Sequence, residues 1–153
     1  MLEYVYGDLL AAKAEALVNA VNIVGVMGKG IALQFKNAYP DVFKAYESAC
    51  KAGELHLGRV FVCELPRHVD GPRWIVHFPT KGHWRDPSRL ADIESGLADL
   101  VATIRRLEIR SIAIPQLGCG NGGLNWSEVQ PLVQGALKDL PDVRVMVFAT
   151  MPP

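Results

Sequence analysis

Two glycine-dense loops, each following an apolar run, carry the residue types that could grip an anion. The first run is Val18-Asn19-Ala20-Val21-Asn22, and its loop reads Gly25-Val26-Met27-Gly28-Lys29-Gly30 before Ile31-Ala32-Leu33. The second run is Ile112-Ala113-Ile114-Pro115-Gln116, followed by Gly118-Cys119-Gly120-Asn121-Gly122-Gly123 and Leu124. Glycine lets backbone N–H groups approach an anion closely, and a helix N-terminus adds partial positive charge. Two such loops facing each other could hold a diphosphate, which points to a nucleotide-like ligand. Thr80-Lys81 follows a third apolar run, Trp74-Ile75-Val76-His77-Phe78. Lys81 is there either a solvated phosphate counterion or a nucleophile.

These loops need elements to position them. Leu2 to Tyr6, Ala16 to Asn22, Arg59 to Cys63, Trp74 to Phe78, Ser111 to Gln116 and Arg144 to Ala149 read as strands. Gly30 to Ala38 reads as a helix, and Pro40 starts another that runs to about Ala52, proline suiting the first helical position. Asp86-Pro87-Ser88 reads as the cap and start of a long helix. Its apolar positions Leu90, Ile93, Leu97, Leu100, Val101, Ile104 and Leu107 recur in steps that put them on one buried face. Asn125-Trp126-Ser127-Glu128 resembles a capping box before a helix to about Leu140. His68 to Arg73 is turn material. Near-continuous apolar strands alternating with helices predict a mostly parallel sheet covered on both faces. Ligands of such sheets bind beyond the carboxyl ends of the strands. The two glycine loops and Thr80-Lys81 should therefore line one crevice.

At 153 residues, half of them hydrophobic, the chain is long enough for one well-filled domain. Lys plus Arg equals Asp plus Glu at 16 each, so no global charge drives it toward nucleic acid, although a local basic site is compatible with that balance. Cys50, Cys63 and Cys119 are odd in number and unpaired in spacing, which fits a reducing, cytoplasmic setting. Early acidic residues and the lack of a basic start read as no signal peptide, and no apolar run reaches membrane-spanning length. The closing Pro152-Pro153 could begin a linker to a further region.

The common nucleotide templates fail. Gly28-Lys29-Gly30-Ile31-Ala32-Leu33 has only two of the three glycines of a dinucleotide fingerprint, and the first loop misses the phosphate-loop spacing. There is no metal-ligand spacing and no nucleophile elbow. Taken together, Tyr6-Gly7-Asp8-Leu9-Leu10, Val18 to Asn22, Met27 to Ala32, and Gly118-Cys119-Gly120 resemble the early G-D-[IL] motif, the V-N-A-x-N strand and the two phosphate loops of the macrodomain family of ADP-ribose binders. Met27 to Ala32, Pro79-Thr80-Lys81, Ile114 to Gly120 and Leu124-Asn125-Trp126 are similar to its terminal ADP-ribose glycohydrolase branch, which includes the DNA-directed antitoxin macrodomains.

That resemblance implies a three-layer α/β/α fold around a mixed, mostly parallel sheet, one macrodomain over 1–153, with a partner-binding region beyond it in a longer chain. It implies removal of ADP-ribose from thymidine in single-stranded DNA, as the antitoxin to an ADP-ribosyltransferase toxin, with no metal, cofactor or membrane. The alternatives are an ADP-ribose-binding module without turnover and a hydrolase of ADP-ribosyl esters on protein carboxylates or on acyl-ADP-ribose. In the protein-directed enzyme an Asp follows G-C-G by two residues; here that place is Gly122, with Asn121 before it. The resemblance makes Lys81 catalytic: its neutral amine would attack the anomeric carbon of the distal ribose once the ring opens, giving a Schiff base. Desolvation or a cationic neighbour favours a neutral amine, and Lys29, His83 and Arg85 are candidate neighbours.

Asp8 either accepts from the adenine amino group or serves only its turn, and Asn22 either fixes ribose hydroxyls or caps the loop backbone. Leu9, Met27, Gly28, Lys29, Gly30, Ile31, Thr80, Gln116, Gly118, Cys119, Gly120, Asn121, Gly122, Gly123 and Leu124 are expected to line the ligand. His83, Trp84 and Arg85 are candidate nucleic-acid contacts, an aromatic beside two potential cations; Trp84 serves equally as a buried anchor for the helix after it. Asn19 is expected to bond backbone and His77 to be a satisfied core histidine. His56 and His68 are expected at the surface. Cys119, with no evident base, and Trp126 are expected to pack.

Overall fold

The computed structural model describes residues 2–67 and 70–149. Among them run β1 (Leu2–Tyr6), β2 (Ala16–Asn22), α1 (Gly30–Ala38), α2 (Pro40–Lys51), β3 (Phe61–Glu64), β4 (Trp74–Lys81), α3 (Leu90–Arg106), β5 (Ser111–Pro115), α4 (Trp126–Leu137) and β6 (Arg144–Ala149). The strands form one sheet in the order β1-β6-β5-β2-β4-β3. Only β3 runs antiparallel, against β4. His68 and the Pro152-Pro153 end lie outside the described residues.

Alternation along the strands divides the core. Ala16, Val18, Val76, Phe78, Ile112, Ile114, Val145 and Val147 face α3 and α4, which answer with Ile93, Leu97, Leu100, Ile104, Val129, Val133 and Leu137. Leu17, Ile75, Ala113 and Met146 face the other way, against Leu9, Phe35 and Val42. The result is three layers, with α1 and α2 on one face and α3 and α4 on the other. α3 comes close to the sheet at Gly96, where a Cβ would overlap the Phe78 ring.

Four local expectations are corrected. The helix after β4 begins at Leu90 rather than near Asp86, with Arg89 at its cap. The reason is that the Ser88 amide donates to the Gly122 carbonyl at 2.9 Å, which holds that stretch against the second glycine loop. Thr80 and Lys81 are the last residues of β4 rather than the residues after it. The Asn125 side chain makes no cap bond; its amide meets the Glu128 carboxylate at 3.4 Å, and α4 stops at Leu137. Asn19 bonds no backbone: its amide reaches the Met27 sulfur at 3.8 Å and His77 Nδ1 at 3.3 Å.

His77 lies fully buried between the Tyr46 and Phe61 rings, and its Nε2 has no partner. Burial pushes its pKa down from 6.5 to about 3. The unfolded chain therefore takes up a proton that the fold refuses, so stability is intact above about pH 6.5 and is lost as pH falls toward 3. Each pH unit inside that window should cost roughly 1 kcal/mol, or about 2–4 °C in Tm. Thermal melts from pH 7 to 4.5 should show this slope in the wild type and a shallower one in His77→Gln. Equal slopes would mean that His77 is not its source.

Candidate diphosphate-binding crevice

The parallel strands bring their carboxyl ends to one edge. β2 and β5 are neighbours but pair only at Ala16–Ile112 and Leu17–Ala113, at the start of β2. Beyond that they part. The chain leaving β2 enters α1 on one face, while the chain leaving β5 heads for α4 on the other. A crevice opens at such a divergence, where open α/β sheets take their ligands.

The first loop is shaped by Asn22, a buried residue whose amide donates to the Val26 carbonyl at 2.8 Å. Its Oδ1 accepts from the amides of Val24 and Val26 and from the Tyr46 hydroxyl, the last at 2.8 Å. Of the two roles open for Asn22, these bonds are those of backbone capping. Ile23 N–H donates to the Gly82 carbonyl at 3.1 Å, tying the loop to the turn after β4. α1 then begins at Gly30, whose φ is +58°, with Lys29 extended at its cap and offering no side-chain bond. The first helical donor is Leu33 N–H, to the Lys29 carbonyl at 3.3 Å. The amides of the preceding turn therefore have no helical acceptor, the kind of donor that an anion can satisfy.

The second loop closes on itself. Cys119 N–H donates to the Gln116 carbonyl, Gly123 N–H to Gly120 and Leu124 N–H to Gly118, all near 3 Å. Gly118, Gly120 and Gly123 all have left-handed φ, between +68° and +82°. The two loops meet across the crevice: a Cβ on Gly30 would sit 3.3 Å from the Asn121 amide nitrogen.

Lys81 stands at that meeting point. Its Nζ donates to the Trp84 carbonyl at 3.0 Å and to the Asn121 carbonyl at 3.4 Å. Two of three donors are so used, which leaves one for a ligand. Asp8 lies at the same edge of the sheet but at the far end. Its Oδ1 accepts from Leu10 N–H at 3.0 Å, the turn role, and the residue is exposed. From β1 to β4 is four strand spacings, about 19 Å, so the edge suits an elongated ligand.

Gly28, Lys29, Gly30, Ile31, Lys81, Asn121 and their loop neighbours are brought together. The side chains of Leu9, Met27 and Thr80 are not: all three are buried, Met27 beneath the first loop against Val21 and Tyr46, and Thr80 donating to the Val21 carbonyl at 3.5 Å. Only their backbones could serve a ligand. Cys119 is half-buried, and burial pushes its thiol pKa up, which suits packing and not nucleophilic attack. His83, Trp84 and Arg85 form a turn beside Lys81, and Trp126 packs edge-on to Tyr4. His56 is exposed.

Sequence reasoning missed Tyr46 and Ser88. Tyr46 shares the buried face of α2 with Val42 and Ala49, a spacing that signals burial but not a hydroxyl partner. Its hydroxyl sits 2.8 Å from both the backbone and the side-chain oxygen of Asn22. Ser88 has a buried Oγ without a partner, directly behind Gly122.

An open α/β sheet, two glycine loops meeting where neighbouring strands diverge, and an amine at their junction make a crevice whose shape and donors suit a phosphorylated, nucleotide-like ligand. The macro domain family model matches residues 18–133, and the chain belongs to that family. A Mycobacterium tuberculosis protein named DNA ADP-ribosyl glycohydrolase is 55% identical over 148 residues, 97% of this chain and 42% of that protein. The solved macrodomain of Mycobacterium tuberculosis DarG superposes with a TM-score of 0.95 at 55% identity, over 100% of this chain and 98% of that one. A Thermosipho africanus protein, named a DNA ADP-ribosyl transferase–DNA ADP-ribosyl glycohydrolase fusion, is 38% identical over 161 residues, 96% of this chain and 41% of that protein. A solved Thermosipho africanus DarTG in complex with ADP-ribose superposes with a TM-score of 0.91 at 37% identity, over 99% of this chain and 43% of that one. The chain spans about two fifths of the length of these curated relatives.

Proposed function

We propose that this macrodomain hydrolyses the N-glycosidic bond between ADP-ribose and a DNA base, thymine in single-stranded DNA, and so reverses the action of a partner ADP-ribosyltransferase toxin. The observation that carries the reading is the Lys81 amine at the junction of the two loops, beside the place where a diphosphate would bring the distal ribose. The names of the Mycobacterium and Thermosipho relatives support the activity and the pairing with a transferase. The expected setting is the cytoplasm.

In this reading the amides at the start of α1 and the second loop hold the diphosphate, Asp8 meets adenine, and Asn22 sits under the distal sugar. The ring carbon–oxygen bond opens first, the ring oxygen taking up a proton; the Lys81 amine, having given a proton to solvent, then bonds through its lone pair to the anomeric carbon as the bond to the base nitrogen breaks. The electron pair leaves with the base, which takes up a proton. Loss of the remaining amine protons leaves a Schiff base, and water hydrolyses it to free ADP-ribose and the amine. No metal or cofactor enters these steps.

The ester reading is weakened at Gly122. A Cβ there would lie 2.5 Å from the Ser88 Oγ and 3.1 Å from its Cβ, so an acidic side chain like that of the protein-directed enzyme would first have to turn the Ser88 hydroxyl away. The test presents equal amounts of ADP-ribosylated single-stranded DNA and of protein ADP-ribosylated on carboxylates. Release from DNA should be at least about tenfold faster, the scale of one modest contact difference in the transition state. No release from either, with ADP-ribose still bound, would leave a binding module. Faster release from protein would replace the DNA reading with the ester one.

A further inference from the structure

Trp84 is a large apolar side chain left 42% exposed beside the crevice. Its backbone is held firmly. His83 N–H donates to the Asp86 carboxylate and Asp86 N–H to the His83 carbonyl, both at 3.0 Å. Arg85 N–H donates to His83 Nδ1, also at 3.0 Å. The Trp84 carbonyl takes the Lys81 ammonium at 3.0 Å, and Gly82 anchors the turn to the first loop. A ring carried on so firm a turn, and not buried under α3, is no anchor for that helix. The Arg85 guanidinium lies 4.5 Å from the indole centre, and the His83 ring is 5.0 Å away.

We propose that Trp84 is a stacking platform for the base next to the modified one in a single strand, with Arg85 taking the adjoining phosphate. This rests on the DNA reading above and adds to it how the flanking strand is held. An exposed cation on an indole is the weaker partner, and a base is the stronger. A base arriving on the ring therefore displaces Arg85, whose long exposed side chain is freed for a phosphate. The Trp84–Lys81 contact keeps that strand in register with the amine. Stacking is indifferent to base identity, so the platform selects single strands and not sequence.

The experiment compares KM for an ADP-ribosylated single-stranded oligonucleotide with KM for ADP-ribosyl thymidine alone, in wild type, Trp84→Ala and Trp84→Phe. Trp84→Ala should raise the ratio of oligonucleotide to mononucleoside KM at least about tenfold, with kcat on the oligonucleotide nearly unchanged. Trp84→Phe should recover part of that ratio. An unchanged ratio, whether both KM values move or neither does, overturns the platform. If the wild type turns over neither substrate, the DNA reading itself has failed. The platform is then judged by titrating unmodified single-stranded oligonucleotide into wild type and Trp84→Ala, and equal affinities overturn it.

Discussion

Replacing Lys81 with alanine should slow release of ADP-ribose from DNA by at least about a hundredfold, the low end of what a positioned proton-transfer or nucleophilic group supplies. Affinity for free ADP-ribose should fall far less, because in the proposed reading the diphosphate rests on backbone amides that the substitution leaves in place. The variant also removes the bonds from Nζ to the Trp84 and Asn121 carbonyls. Loosening of the loops is therefore a rival explanation, and Lys81→Arg separates the two. Arginine keeps a donor for both carbonyls and stays charged, so it holds the loops but cannot attack as a neutral amine. Both variants should be inactive if bond formation is the lysine's work. An active Lys81→Arg would reduce it to an electrostatic aid. Borohydride added during turnover should leave wild-type protein heavier by a reduced ADP-ribose adduct at Lys81. Wild-type turnover rates in Lys81→Ala would remove this residue from the chemistry altogether.

Much of the frame is legible in the chain because local pattern and burial agree. β1, β2 and β6 match their apolar runs residue for residue, and the buried face of α3 falls at Ile93, Leu97, Leu100 and Ile104, as helical spacing requires. What could not be read depends on contacts distant in sequence. The order β1-β6-β5-β2-β4-β3 is one such feature, and the early parting of β2 from β5 that opens the crevice is another. The Asn19–His77 pair joins residues 58 apart, and only the adjacency of β2 and β4 brings them together. The start of α3 was misplaced because local capping chemistry at Asp86-Pro87-Ser88 loses to a tertiary bond from Ser88 to Gly122. Gly96 gives no local hint that Phe78 occupies the space of its missing side chain. In the site, the glycine positions were readable, since left-handed φ is costly for other residues. The backbone cap at Asn22 was one of its two readable roles; that a tyrosine from α2 adds a bond to its Oδ1 was not.

Alanine at Gly118 and at Gly120 should separate what the second loop does for the fold from what it does for the ligand. Both have left-handed φ, at +75° and +68°, so either alanine costs about 1–2 kcal/mol in backbone terms. Their surroundings differ. A Cβ on Gly118 would lie 2.7 Å from Leu124 Cδ1 and close to Ile93 and Ser88, packed side chains with little freedom to retreat. Overpacking of that kind adds about 1–3 kcal/mol. Gly118→Ala should therefore lower Tm by roughly 4–20 °C, and its loop, pushed off α3, should bind ADP-ribose at least about tenfold more weakly. A Cβ on Gly120 meets nothing within 4 Å. Gly120→Ala should cost only about 2–8 °C, yet it places a methyl group on a loop whose backbone, in the proposed reading, approaches a phosphate. Its loss of ADP-ribose affinity should rival that of Gly118→Ala despite the smaller loss of stability. Calorimetric titration beside thermal melts reads both quantities on the same samples. Gly120→Ala binding as tightly as wild type would mean that the ligand does not lie against this loop. The diphosphate would then have to rest on the start of α1 alone, where Gly30→Ala, strained at φ +58° and pressed against Asn121, becomes the decisive substitution.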